Sequence, residues 1–211
     1  MSVKRNIVIS AVALTLLGGA GGAAATLTAH AATLACGSAC TNFFNAGVGT
    51  SDVINVLNQA IAIGQPVDLA TASGANQGED FQVELEGVVS DFVAAGLMDP
   101  TLGELYGNLP VSEIEYKPGG ILSGLCVGVQ STPRPNTPVT LQECGASAKT
   151  TWIFDPVTTT TGSFFALING ATDKDFNHTE SLTTDGSNVF TFPLKDRNDQ
   201  LWGEIAGTLP S

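Results

Sequence analysis

The stretch LCVGVQSTPRPNTPVTLQECGASAKTTWIF, residues 125–154, decides the fold. Two β-like runs, Leu125–Gln130 and Pro138–Cys144, flank a proline-rich turn, and each carries a cysteine. A small polar loop follows, and a further apolar run, Thr151–Phe154, has an aromatic residue, Trp152, at its start. Short runs rich in Val, Ile, Phe and Thr, punctuated by Gly, Pro, Asn and Asp, are the signature of strands.

The same frame of turn, strand, polar loop and aromatic occurs twice more. GQPVDLATASGANQGEDFQV (64–83) leads to Phe81, and SNVFTFPLKDRNDQLWGEI (187–205) leads to Trp202. Further strand candidates stand ahead of each stretch: Phe43–Phe44 with Val53–Leu57, Ile114–Tyr116 with Leu125–Val129, and Phe165–Ile168 with Ser181–Thr184. Internal repetition of this kind fixes an architecture before any single residue does. Twelve strands in three groups of four make an all-β β-trefoil, a six-stranded barrel capped by three hairpins, with Phe81, Trp152 and Trp202 meeting in one core layer. One stretch breaks the pattern: the apolar spacing of Val88–Met98, then Asp99-Pro100 and Thr101–Tyr106, predicts a short helical insertion over residues 88–106.

The first 31 residues read as a secretory signal peptide. Lys4 and Arg5 precede an apolar run, Ile7–Leu17, too short to span a bilayer, and Ala29-His30-Ala31 is a small-x-small cleavage site. Residues 32–42 then form a cysteine-containing arm, and residues 43–211 the β domain. The chain carries 8 basic and 20 acidic residues; removing Lys4 and Arg5 leaves 6 against 20, a net charge of −14. Nucleic acid and anionic membrane surfaces are disfavoured partners for such a field.

An exported chain meets an oxidising environment, so its four cysteines read as disulfides. The local pairs Cys36–Cys40 and Cys126–Cys144 close the shortest loops. Their spacing does not form two Cys-x-x-Cys knuckles, and His178 is the one histidine beyond the signal peptide, which argues against zinc. His178 sits in a polar loop with no Gly-x-Ser-x-Gly elbow anywhere, which leaves serine hydrolysis without its parts. The acid pairs Glu84/Glu86, Glu113/Glu115 and Asp173/Asp175 fall at i, i+2 and read as solvated strand faces rather than a glycosidase pair. No cofactor, metal or catalytic residue is expected, and the chain reads as non-enzymatic.

Residues 125–154 and the Gln200-Leu-Trp202 tripeptide resemble the ricin-B-type β-trefoil lectins, in which a Cys-bearing strand, a Pro-Val strand ending in Cys and a Gln-x-Trp follow one another. GANQGEDF (74–81) resembles a decayed version of the last element. This likeness implies sugar recognition by an acid or amide on the second strand, an aromatic ring and an Asn near the Gln-x-Trp, since carboxylates and amides bind vicinal hydroxyls while a ring stacks on the sugar face. It points to Asp185, Phe190, Asn198 and Gln200 in the third unit and to Asn55 and Asn76 in the first. In the second unit, Gly128 and Ser147 replace the binding residues. The chain also resembles small exported actinobacterial proteins with a Cys-x-x-x-Cys arm, some of which connect subunits of secreted antibacterial particles. The expected function is therefore glycan recognition. The alternative is a protein-binding adaptor that docks through the disulfide-stiffened arm with Phe43 and Phe44 behind it.

Overall fold

The computed structural model of the protein describes residues 32–33, 40–172, 179–195, 197–206 and 208–209. The signal segment 1–31, Cys36, Asp173/Asp175 and His178 lie outside them. Among the described residues, twelve strands of four or more residues carry the β domain: β1 (Thr41–Asn45), β2 (Gly49–Val56), β3 (Val67–Thr71), β4 (Phe81–Val88), β5 (Pro110–Tyr116), β6 (Leu125–Gly128), β7 (Thr140–Glu143), β8 (Thr151–Thr158), β9 (Ser163–Asn169), β10 (Glu180–Thr184), β11 (Val189–Pro193) and β12 (Leu201–Ala206). The helical insertion is found where expected, as α1 (Val89–Ala94) and α2 (Pro100–Tyr106). Pro100 occupies the first turn of α2, and the Asp99 side chain accepts the Thr101 N–H at 2.9 Å, capping its start.

All pairings are antiparallel. Six strands close a ring in the order β1, β4, β5, β8, β9, β12 and back to β1. The remaining six form three hairpins, β2–β3, β6–β7 and β10–β11. Closure removes the unpaired edges that an open sheet of this size would expose.

The hairpins meet one another through their backbones. The Val67 N–H donates to Val139 O at 3.1 Å, the Val139 N–H to Val189 O at 3.2 Å, and the Leu69 N–H to Ser187 O at 2.8 Å. The three valines are buried in the core that fills the barrel.

That core contains Phe81, Trp152 and Trp202, all with no exposed surface. The indole N–H of Trp152 donates to Val127 O at 2.8 Å and that of Trp202 to Leu182 O at 2.9 Å. Phe81 has no donor, and the side-chain amide of Asn42 donates to Ile54 O at 3.2 Å in its stead. The substitution of ring N–H by a neighbouring amide keeps a buried carbonyl satisfied. A second core joins the insertion to the barrel, with Val89, Phe92, Met98 and Leu102 against Ile153 and Ile168.

Cys126 and Cys144 are disulfide-bonded, with Cα atoms 5.1 Å apart. Cys40 is also disulfide-bonded. Two expectations are corrected by the ladder. The arm assigned to residues 32–42 overlaps β1, because Thr41 and Asn42 already pair with Ala206 and Ile205. Phe43 is no docking side chain: it is fully buried in the barrel core, 6.1 Å from the Phe154 ring. Phe44 is half-buried, edge-on to Phe164 at 6.2 Å, with its ring pressed on Gly203, where a Cβ would fall 2.3 Å from it.

Candidate functional site

Gln200 is fully buried at the end of a 3-10 turn, Asn198–Gln200, and its side chain is spent inside the fold. Its oxygen accepts the Lys195 N–H at 2.7 Å. Its amide donates to Pro193 O at 2.9 Å and to Thr183 Oγ1 at 3.2 Å. Gln200 therefore ties the loop after β11 to β10. Asn198, two residues earlier, is exposed, and it is not among the residues lining the cavity at Phe190.

The strand register also moves the first unit's key residue. Two positions before each core aromatic stand Glu79, Thr150 and Gln200, so Glu79 and not Gln77 is the counterpart of Gln200. Glu79 is fully buried and accepts the Ser73 N–H at 2.9 Å and the Asn76 amide at 2.7 Å. Burial pushes its carboxyl up to about 7. Asn76 donates as well to Asn55 Oδ1 at 3.0 Å, and the Asn55 amide donates to Asp68 Oδ1 at 2.8 Å. The structure thus brings Asn55 and Asn76 together as expected, but as links in an internal chain Glu79, Asn76, Asn55, Asp68. Gly78 permits it: a Cβ there would lie 2.3 Å from Asn55 Oδ1.

The pairing of Thr183 with Phe190 on β10–β11 matches that of Asn55 with Asp68 on β2–β3. Thr183, and not Asp185, is therefore the counterpart of Asn55 in the strand register. Asp185 sits two residues on, in an exposed turn whose backbone it organises: its Oδ1 accepts the N–H groups of Ser187 at 3.0 Å and Asn188 at 2.8 Å. The Asn188 side-chain amide donates to Oδ2 at 3.0 Å, and these bonds hold the Asp185 carboxyl below its ordinary value.

Glu113 and Glu115 correct another expectation. Both are buried rather than solvated. Glu113 Oε1 accepts the Ala146 N–H at 2.9 Å and the Thr150 hydroxyl at 2.5 Å, and Glu115 Oε1 accepts the Gly124 N–H at 2.7 Å. They lie on the strand face opposite Ile114 and Tyr116, whose side chains enter the barrel core, and the loop amides folded over that face explain their burial.

One cavity remains open where the three hairpins converge. It has a volume of about 700 Å³ and is walled by Leu57, Pro66, Asp68, Asp185, Asn188 and Phe190, among others. Asp185 and Phe190 do meet here, and Asp68, not anticipated from the sequence, joins them from the other hairpin through the bridge between Asp68 and Asn188. Partial burial pushes the Asp68 carboxyl above its ordinary value, opposed by the Asn55 hydrogen bond. The signal for Asp68 in the sequence was its place beside Val67 on the strand equivalent to that of Phe190. Among the described residues the one cluster with metal-type spacing is Glu113 with Cys126 and Cys144, whose sulfurs are already bonded to each other.

No protein-family model matches the chain, and no curated protein is similar enough in sequence to count as a relative. Solved structures share the fold. ThreeFoil, a designed three-fold symmetric protein, superposes with a TM-score of 0.56 at 14% identity, over 79% of this chain and 98% of its own. The Rhizoctonia solani agglutinin does so with a TM-score of 0.51 at 16% identity, over 79% and 94%. A salivary protein of Culex quiquefasciatus from the cysteine- and tryptophan-rich family gives 0.51 at 13% identity, over 86% and 99%. The chain has a β-trefoil-like fold.

Proposed function

We propose that this is an exported, non-catalytic recognition protein built of three four-stranded units, whose ligand is another protein. The observation that carries the reading is the fate of the sugar-site residues. Gln200, Asn55 and Asn76 are consumed by internal hydrogen bonds, whereas eight large apolar side chains among the described residues, Ile61, Ile63, Leu105 and Ile121 foremost, stay exposed. A lectin needs free amides and carboxylates facing hydroxyls. A protein-binding surface needs apolar area on rigid loops. The disulfide at Cys40, where the arm enters β1, fits an adaptor that presents a stiffened terminus.

A second reading, glycan recognition, is favoured by the cavity, where Phe190 stands beside Asp68, Asp185 and Asn188. The name of one fold neighbour, an agglutinin, is compatible with it, and fold likeness alone carries no more than that.

Two assays run in parallel separate the readings. Tagged protein recovered from the culture medium of its source is expected to bring down a defined partner in constant ratio, and a glycan array is expected to stay blank. A positive array whose signal is lost in Asp68→Ala or Asp185→Ala, with no partner recovered, would overturn the protein-binding reading in favour of the second.

A further inference from the structure

We infer that the cavity and the loop beside it form one docking surface for a protein segment that carries a basic side chain between apolar residues. The inference rests on the protein-binding reading above and specifies where and what it binds.

The loop from Leu57 to Pro66 starts and ends on the cavity wall. It is pinned rather than loose: the Leu57 N–H donates to Pro66 O at 3.1 Å, the Gly64 N–H to Leu141 O at 2.7 Å and the Gln65 N–H to Ala62 O at 3.1 Å. The Gln65 side chain also bonds Leu57 O. On this fixed frame Leu57, Ile61 and Ile63 are 39%, 59% and 64% exposed. A loop free to rearrange would fold such side chains inward, so their display is enforced by the backbone. Preorganised apolar area lowers the ordering cost of binding.

The cavity supplies the charge. Asp68 and Asp185 are acids, and the cavity lining contains no Lys or Arg among the described residues. The hydrogen bonds to these carboxylates come from the neutral amides of Asn55 and Asn188 and from backbone N–H groups. A concave site with two carboxylates and no Lys or Arg among its described lining residues focuses its field outward and attracts a cation, and the Phe190 ring adds a face against which an ammonium or guanidinium can lie. An aliphatic stem ending in a charge suits a cavity of about 700 Å³ with an apolar rim. An acidic segment is excluded by the same field.

Fluorescence anisotropy with a capped Ser-Leu-Lys-Leu-Ser peptide tests this, alongside its Lys→Glu and Leu→Ser versions. The parent peptide is expected to bind, the Lys→Glu peptide not to bind, and the Leu→Ser peptide to bind more weakly. Asp68→Asn with Asp185→Asn keeps an acceptor oxygen for Asn55 and for the turn, and should weaken the parent about tenfold, as should Ile61→Ser with Ile63→Ser. Asp91→Asn with Glu104→Gln removes the same charge from the exposed face of the insertion and should leave binding unchanged. Equal weakening by this control pair, or equal binding of the Lys and Glu peptides, would overturn the inference. If the partner still co-purifies in full with the cavity double variant, the surface is wrong while the protein-binding reading stands. If no partner is recovered and the array is positive, that reading itself fails.

Discussion

Replacing Glu79 by Gln should flatten the pH dependence of stability, because this acid stands fully buried where the third unit has Gln200. Burial raises its folded-state carboxyl from 4.5 to about 7. Between these values the folded chain holds a proton at Glu79 that the unfolded chain has released, so the contribution of Glu79 to stability is fully present below pH 4.5 and is lost as pH rises through about 7. A displacement of about 2.5 units at 1.36 kcal/mol each makes the loss about 3 kcal/mol between pH 4 and pH 8. Glu180, buried and likewise pushed up to about 7, adds a loss of similar size that the variant retains. Urea denaturation of wild type and Glu79→Gln across that range, read as the difference between the two curves, isolates Glu79. The amide changes one hydrogen bond to Asn76 at every pH, which offsets the curve without changing its slope. Parallel curves would refute the claim that a desolvated carboxylate occupies this position.

Asn42→Ala should cost about 2–3 kcal/mol in the same assay, since Ile54 O and Glu79 O both lose their buried donor. Removing the Cys126–Cys144 bond by a double Ser substitution should cost about 3 kcal/mol, seen as a lower Tm, for a loop closed over a separation of 18 residues. Gly128→Ala places a Cβ 2.7 Å from Lys149 O and should lower stability by about 1–3 kcal/mol. Ile61→Ser with Ile63→Ser should leave the Tm within the range of ordinary surface changes, about 0.5 kcal/mol per site; a large loss would mean that these side chains support the fold rather than a partner.

The fold was legible because strand alternation, turn residues and a threefold frame are local signals. Val67, Val139 and Val189 stand at or just before the starts of β3, β7 and β11, and Phe81, Trp152 and Trp202 stand first or second in β4, β8 and β12. The insertion declared itself by its change of period and by Asp99-Pro100. The register of the polar residues was less legible. GANQGEDF read as text offers Gln77 as the buried amide, yet Gln77 is exposed and Glu79 is the side chain that is buried. Likewise Phe43 looks available beside a cysteine arm, yet its strand turns it into the barrel.

What the sequence determined by itself is the class of structure and the Cys126–Cys144 pair, because these follow from spacing along the chain. What only the tertiary structure decided is which polar groups are free. Gln200, Asn55 and Asn76 are spent within the fold, and Glu113 and Glu115 hold loop amides. Asp68 and Asp185, 117 positions apart in the numbering, come to one cavity. The physical reason is that a hydrogen bond satisfied from a distant strand leaves no trace in local sequence, while it settles whether a side chain serves the fold or a ligand.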